Sequence, residues 1–449
     1  MKKILLFFNL LFLLSVLNAA DRYAVNDGAW NNTNTWSATK NGSSGASAPG
    51  FGDNAYINGR IVTLTANALV ENIFVSADVS NCFIINASRN IQIYGSLVSW
   101  DDTTDSETPP ETQTIQFNSS LSRLIFRGSR MSATYTPNVI VNWNNNSEFG
   151  RVDFQIGNRT RNVSGNITLN NGELRVAQGN VIIDDSLNGS SNSNVFIAAD
   201  ETLTLSDVAF NLVEVEINGS LTASNSLDAT SDLIVNSGGY FNTAFSGSSN
   251  GWWNTSAPTT IDLGAGSIVE FSGASQNVPS ETYGSLLFSG SGTKTFSTTS
   301  SLLILDSLDI GSGVTIVSSN PTTIDIQGNI NNDGSWTSST AVGLNGSASI
   351  DLSGTGSTSF SGGLTVNMTG GATLTLSKDL SVSSGLTITS GTFDIGSNEL
   401  TVSGNLVNND VVDFDAGTVT FPGTTTISGS SSVSFNDIEV GGSGDLTYS

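Results

Sequence analysis

Asp394, Asp413 and Asp415 are the carboxylates of this chain best placed to act together. Phe393-Asp394-Ile395 and Val412-Asp413-Phe414 are apolar-acidic-apolar segments 19 positions apart. If one winding of the backbone takes roughly twenty residues, Asp394 and Asp413 stack on neighbouring strands about 4.8 Å apart, and Asp415 shares the face of Asp413. Carboxylates that close take up a cation, share a proton or turn apart into water. Structural calcium, with its oxygen ligands, is the one ion the pattern admits, and no other cofactor is required. Arg159-Thr-Arg161 is the second candidate, two guanidinium groups on one side of an extended segment that could grip an anionic sugar or an acidic surface. Trp252 and Trp253 offer ring faces to a sugar if they stand exposed, and otherwise pin a loop to the body of the protein. Asn331-Asn332-Asp333-Gly334 resembles a calcium loop without its closing Glu and reads as a turn. Catalysis has less to work with. The chain contains no His, which removes the commonest general base and every Ser-His pair. A lyase built on calcium, carboxylates and Arg, or a hydrolase built on paired Asp, is the rival reading.

The elements that must position these residues are short strands. Leu374, Leu380, Leu386, Phe393, Leu400 and Leu406 each begin an alternating apolar segment. Every third member is one winding on: Leu374 and Phe393 are 19 apart, Leu380 and Leu400 are 20, and Leu386 and Leu406 are 20. Alternation sends Leu, Ile, Val and Phe inward and Ser and Thr outward. A phrase of the form apolar-x-apolar-x-Gly-Ser/Asn-apolar recurs at Ile91–Leu97, Val215–Leu221, Ile324–Ile330 and Leu400–Leu406. One such unit cannot bury its apolar side alone, so the units must stack into an all-β parallel solenoid of about twenty residues and three strands per coil. Corner glycines are expected to supply positive φ. Ile167 to Leu187 align without gaps on Leu386 to Leu406, and Gly328-Asn-Ile330 recurs 76 residues later as Gly404-Asn-Leu406, which suggests duplicated blocks of about four coils. Thr387/Thr389 and Thr418/Thr420 have the Thr-x-Thr form of ice-binding solenoids, but the pairs do not recur from coil to coil in the sequence.

Lys2 and Lys3 precede the apolar run Ile4 to Val16, and Asn18-Ala19-Ala20 supplies small residues for cleavage, so residues 1–20 read as a secretory signal peptide. No later run is apolar enough to span a bilayer. Cys82 is the single cysteine and has no disulfide partner within the chain. The formal net charge is −24, and only Lys294 and Lys378 are basic after Arg175. That balance argues against nucleic acid and anionic lipid as partners. The domain reading is a capping segment at 21–60, a first solenoid region at 61–244 with an acidic loop at 101–111, a Trp-containing loop at 245–260, and a more regular region at 261–449.

Trp30-x5-Trp36 followed by Pro49-Gly-Phe-Gly52-Asp53, Ile57, Val62 and Leu64 resembles the amino end of secreted bacterial parallel β-helix surface proteins. Gly417-Thr-Val-Thr-Phe421 and Phe435-Asn-Asp-Ile-Glu-Val440 are similar to repeats of large adhesin-like exoproteins. The resemblance implies a right-handed parallel β-helix, export to the cell surface or beyond, and attachment to surface glycans or to proteins of a host or other cell. It also implies a carboxyl-terminal sorting domain, so a chain that stops at Gly444-Asp-Leu-Thr-Tyr448 in mid-repeat reads as a piece of a longer protein.

Overall fold

The computed structural model describes residues 20–449 except 58, 77–82, 86–88, 94–96, 102–105, 108–111, 118–122, 128–137, 143–149, 164–166, 170–171, 184–186, 190–192, 207–209, 247–250, 254–258, 298, 415 and 443. Residues 1–19 of the signal segment, Cys82 and Asp415 therefore lie outside the described residues. Strands run parallel to those one winding away, about 21 residues distant, and form a β-solenoid. Among the described residues the only helical turn is the 3-10 helix Thr33–Thr35, and no helix is long and apolar enough to cross a membrane. The chain divides into two compact units, Met1–Gly157 and Asn158–Ser449.

In the second unit each regular winding supplies three strands. Leu364–Asn367, Thr373–Leu376 and Leu380–Val382 are followed by Gly385–Ser390, Thr392–Asp394 and Glu399–Val402. Leu386 stacks on Leu364 and under Leu406, Phe393 stacks on Leu374, and Leu400 on Leu380. These pairings match the spacings read from the sequence, and the three ladders are here termed the first, second and third faces in that order. Leu364, Leu386, Leu406, Leu374, Phe393, Leu380 and Leu400 are each at most 2% exposed. Each such burial contributes about 1.5–3 kcal/mol before chain entropy is subtracted. Thr at the intervening outward positions suits a pleated strand because its branched side chain packs against its neighbours.

Corner glycines such as Gly266 and Gly391 do have positive φ, as expected, but the glycine of the repeated phrase does a different job. Gly219, Gly328 and Gly404 do not have positive φ; Gly95, the fourth, lies outside the described residues. A Cβ on Gly404 would stand 1.1 Å from the Ser384 carbonyl oxygen, one on Gly328 1.7 Å from that of Asp306, and one on Gly219 2.2 Å from that of Ala198. Each corner rests on the backbone of the preceding winding, and only a residue without Cβ fits there. The 76-residue offset is likewise not a block of whole windings. Ile330 lies on the second face, paired with Leu352, whereas Leu406 lies on the first, paired with Leu386. The repeating unit is a strand with its corner, used both where the first face turns into the second and where the third turns into the first.

The ladder passes through the Trp-containing segment without a break: Tyr240–Thr243 pairs directly with Ile268–Phe271. Between them, Thr260–Asp262 also belongs to the stack, paired with Asp232, Leu233 and Ile234.

In the first unit, Asp21–Ala24, Asn54–Ile57, Asn72–Ser76 and Leu97–Asp101 form one parallel ladder. Its outer edge is closed by Trp36–Ser37, which runs antiparallel to Asp21–Ala24 and so covers backbone groups that would otherwise invite another strand. Trp30 and Trp36 are buried edge to face at 5.1 Å, with the Trp36 indole donating to the Trp30 carbonyl at 2.6 Å and that of Trp30 to Pro49 at 3.2 Å. Of the acidic loop, Ser106–Glu107 folds back antiparallel on Leu97–Asp101.

Candidate functional site

The structure places the expected site residues in different circumstances. Trp252 is wholly buried and Trp253 is 7% exposed. Trp252 meets Phe241 edge-on at 5.6 Å and Trp253 at 5.2 Å, and tilts against Phe271 at 5.7 Å. Neither ring stands open to a sugar, so the pair anchors its segment by burying aromatic surface. Gln276 secures the same segment from inside the column, its amide donating to the carbonyls of Thr243 at 3.0 Å and Phe245 at 2.9 Å.

Asp394 and Asp413 are direct partners on adjacent strands, as their spacing required. Asp394 accepts the Gly396 N–H at 2.7 Å, so one carboxylate oxygen already serves its own turn. Among the described residues no group of three or more His, Cys, Asp or Glu is arranged to hold a metal ion. Two carboxylates supply only part of the six to eight oxygens calcium takes, and Asp415 is outside the described residues. Arg159 and Arg161 both fall within the strand Gly150–Val163, and their side chains lie outside what the structure describes. Asn332 and Asp333 make a turn: Asn332 Oδ1 accepts the Gly334 N–H at 3.0 Å, and Asp333 accepts the Thr355 N–H at 2.9 Å and its hydroxyl at 3.0 Å. Those two bonds from Thr355 hold the Asp333 carboxyl below the usual range.

Two groupings become visible only when windings are laid over one another. On the first face, Glu173, Asn194, Glu214 and Asp232 are successive partners, beside a second column of Arg175, Phe196 and Glu216. Burial, then repulsion from Asp232, Glu216 and Glu173, pushes the Glu214 carboxyl above its ordinary value. This column joins several carboxylates to an Arg, as the enzyme reading demands. The guanidinium is already committed, however, lying 4.3 Å over the Phe196 ring and 3.8 Å from Glu173. Glu173 and Glu214 are 41 positions apart and Glu214 and Asp232 are 18, so no single spacing joins these acids in the sequence.

On the third face, Thr293, Thr315, Ser335 and Ser357 form one outward column, and Thr295, Val317, Thr337 and Ser359 the other. The second column continues through Ser381, Thr401 and Thr420. Thr293/Thr295, Ser335/Thr337 and Ser357/Ser359 are hydroxyl pairs, but Val317 beside Thr315 interrupts the series and Glu399 stands beside Thr401 further on, so the pairs do not recur at every coil, in line with the linear reading. Thr387 and Thr418, compared there, sit on different faces: Thr387 pairs with Thr365 on the first, and Thr418 with Glu399 on the third.

Further along this face lies a groove of about 470 Å³ lined by Ser357, Lys378, Asp379, Ser381, Glu399 and Thr401 among others. Lys378 is 8% exposed and donates to the Asn332 carbonyl at 3.0 Å, two windings back. Burial pushes its ammonium below the usual range against the pull of Asp333 and Asp379. Asp379 Oδ1 accepts the Glu399 N–H at 2.8 Å, and Glu399 Oε1 accepts the Thr420 hydroxyl at 3.0 Å.

Comparison of the chain with protein-family models, with curated proteins and with solved structures finds no match.

Proposed function

We propose that this chain is a secreted or cell-surface structural and adhesive β-solenoid that attaches through its outward faces and loops and performs no reaction of its own. The observation that carries the reading is the third face. From Thr293 to Ser359 all eight outward positions of its two columns are uncharged in a chain of net charge −24. A surface that repeats neutral polar groups at every winding suits an extended partner met by many weak contacts, and the segment 1–20, read from its sequence as a signal peptide, suits export. The test is a glycan array probed with residues 21–449, with and without calcium, followed by a reducing-end assay on any bound glycan. Binding without release of new reducing ends is expected; steady release of product would replace this reading with the enzyme.

A second reading has its own support. Two columns of Ser and Thr broken only by Val317 between Thr293 and Ser359, about 6.6 Å apart across a strand and about 4.8 Å apart between windings, are spaced much like the oxygens on faces of hexagonal ice. The same protein at micromolar concentration would then inhibit ice recrystallisation, and Thr337→Tyr would abolish the effect. Crystals that coarsen as fast as in buffer exclude this reading.

A further inference from the structure

We propose that the third-face groove binds a neutral, extended polysaccharide lying along the stack of windings. This rests on the adhesive reading and names the ligand and the site for it.

The groove crosses three successive windings, whose outward residues Ser359, Ser381 and Thr401 are partners, so a polymer laid along it meets equivalent groups about every 4.8 Å. Lys378 gives the site its donor. It is a charged side chain more than nine-tenths buried, lines the groove, and uses one N–H on the Asn332 carbonyl. An ammonium has three N–H donors, and leaving the other two dry is costly, so a hydroxyl seated in the groove would relieve them. Asp379 and Glu399 give it acceptors. Each spends one oxygen on the bonds described above and retains a second for a ligand hydroxyl. Ser357, Ser381 and Thr401 both donate and accept. Such a mixture matches sugar hydroxyls, which also do both.

Charge selects the class of sugar. One cation stands against two carboxylates in the groove, and the whole chain carries −24, so a uronate or sulfated polymer is repelled at long range.

Isothermal titration of residues 21–449 with cellohexaose, laminarihexaose, mannohexaose and polygalacturonate tests the proposal. At least one neutral hexaose should bind, and polygalacturonate more weakly. Ser381→Trp, which fills the groove from an outward position, should lower that affinity tenfold or more, and Glu399→Gln several-fold. Thr375→Trp, outward on the second face, should change it by less than twofold. Thermal melts of each variant establish that it is folded, and Glu399→Gln, at an exposed position, carries the test if Ser381→Trp is not. Binding that survives both groove substitutions places the ligand elsewhere and overturns the groove while leaving the adhesive reading intact. Tighter binding of polygalacturonate overturns the ligand class. A chain that binds no glycan in titration or on the array loses both.

Discussion

Gly404→Ala is expected to cost at least about 4 kcal/mol of unfolding free energy, the range in which one substitution is exceptional. The added methyl would stand 1.1 Å from the Ser384 carbonyl oxygen and 2.1 Å from its carbon, well inside contact distance, and the obstacle is backbone. Relief requires the two windings to part at this corner, which would break stacking of Leu406 on Leu386 and Leu400 on Leu380 on either side. Gly423→Ala is the matched comparison. No atom lies within 4 Å of its added methyl and its φ is not positive, so this change should be neutral or slightly stabilising through the unfolded chain. Urea unfolding of the two variants, read as midpoint and slope, should separate them widely. Equal midpoints would mean that the corners are not in contact as described.

Lys294→Met should cost about 2–4 kcal/mol, because two part-buried carbonyls and the buried Gln276 Oε1 lose their donor, and each buried acceptor left unpaired is worth about 1–3 kcal/mol. Lys294 is inside the column and wholly buried. Its ammonium donates to the carbonyls of Gly273 and Ala274 and to Gln276 Oε1, the last at 2.6 Å. Three acceptors match three N–H groups, and Gln276 in turn holds the Trp-containing segment. Burial nevertheless pushes the ammonium down from an ordinary 10.5 to about 8, with Glu270 pulling the other way. Between those values the unfolded chain binds the proton that the folded chain has released, so this group's contribution to stability increases with pH from about 8 to 10. Tyr283 works in the opposite sense at higher pH. Burial and then Glu281 hold its hydroxyl well above the ordinary value, so the unfolded chain ionises first and stability declines as pH passes about 10. Tyr283 is common to both proteins, so the gap in melting midpoint between wild type and Lys294→Met should widen from pH 8 to pH 10. A constant or narrowing gap would show that Lys294 is not buried as a cation in this cage.

Lys294 also shows how legibility divides. Its strand reads Gly-Thr-Lys-Thr-Phe, and alternation puts Lys294 on the side of Phe296, hence inward; the phase was readable, although its three acceptors were not. The same local rule gave the stacking of Leu374 with Phe393, because side-chain direction repeats every two residues and the winding length shows in the spacing of apolar segments. Asp394 and Asp413 were brought together on that basis alone.

What the sequence determined by itself is the solenoid: three strands to a coil near twenty residues long, an aliphatic and aromatic interior, and an outward surface of Ser, Thr and acids. What only the tertiary structure decided is which outward residues meet. Windings differ in length, with Val342 18 residues after Ile324 and Leu364 22 after Val342, so a small error in each loop misplaces every residue further on by a face. For that reason the hydroxyl columns of the third face, the Glu214 column and the Lys378 groove are invisible to a fixed period. The burial of Trp252 and Trp253 was undecided for another reason: whether a loop aromatic packs or projects depends on the surface it meets, here Phe241 and Phe271, and that surface exists only after the windings have stacked.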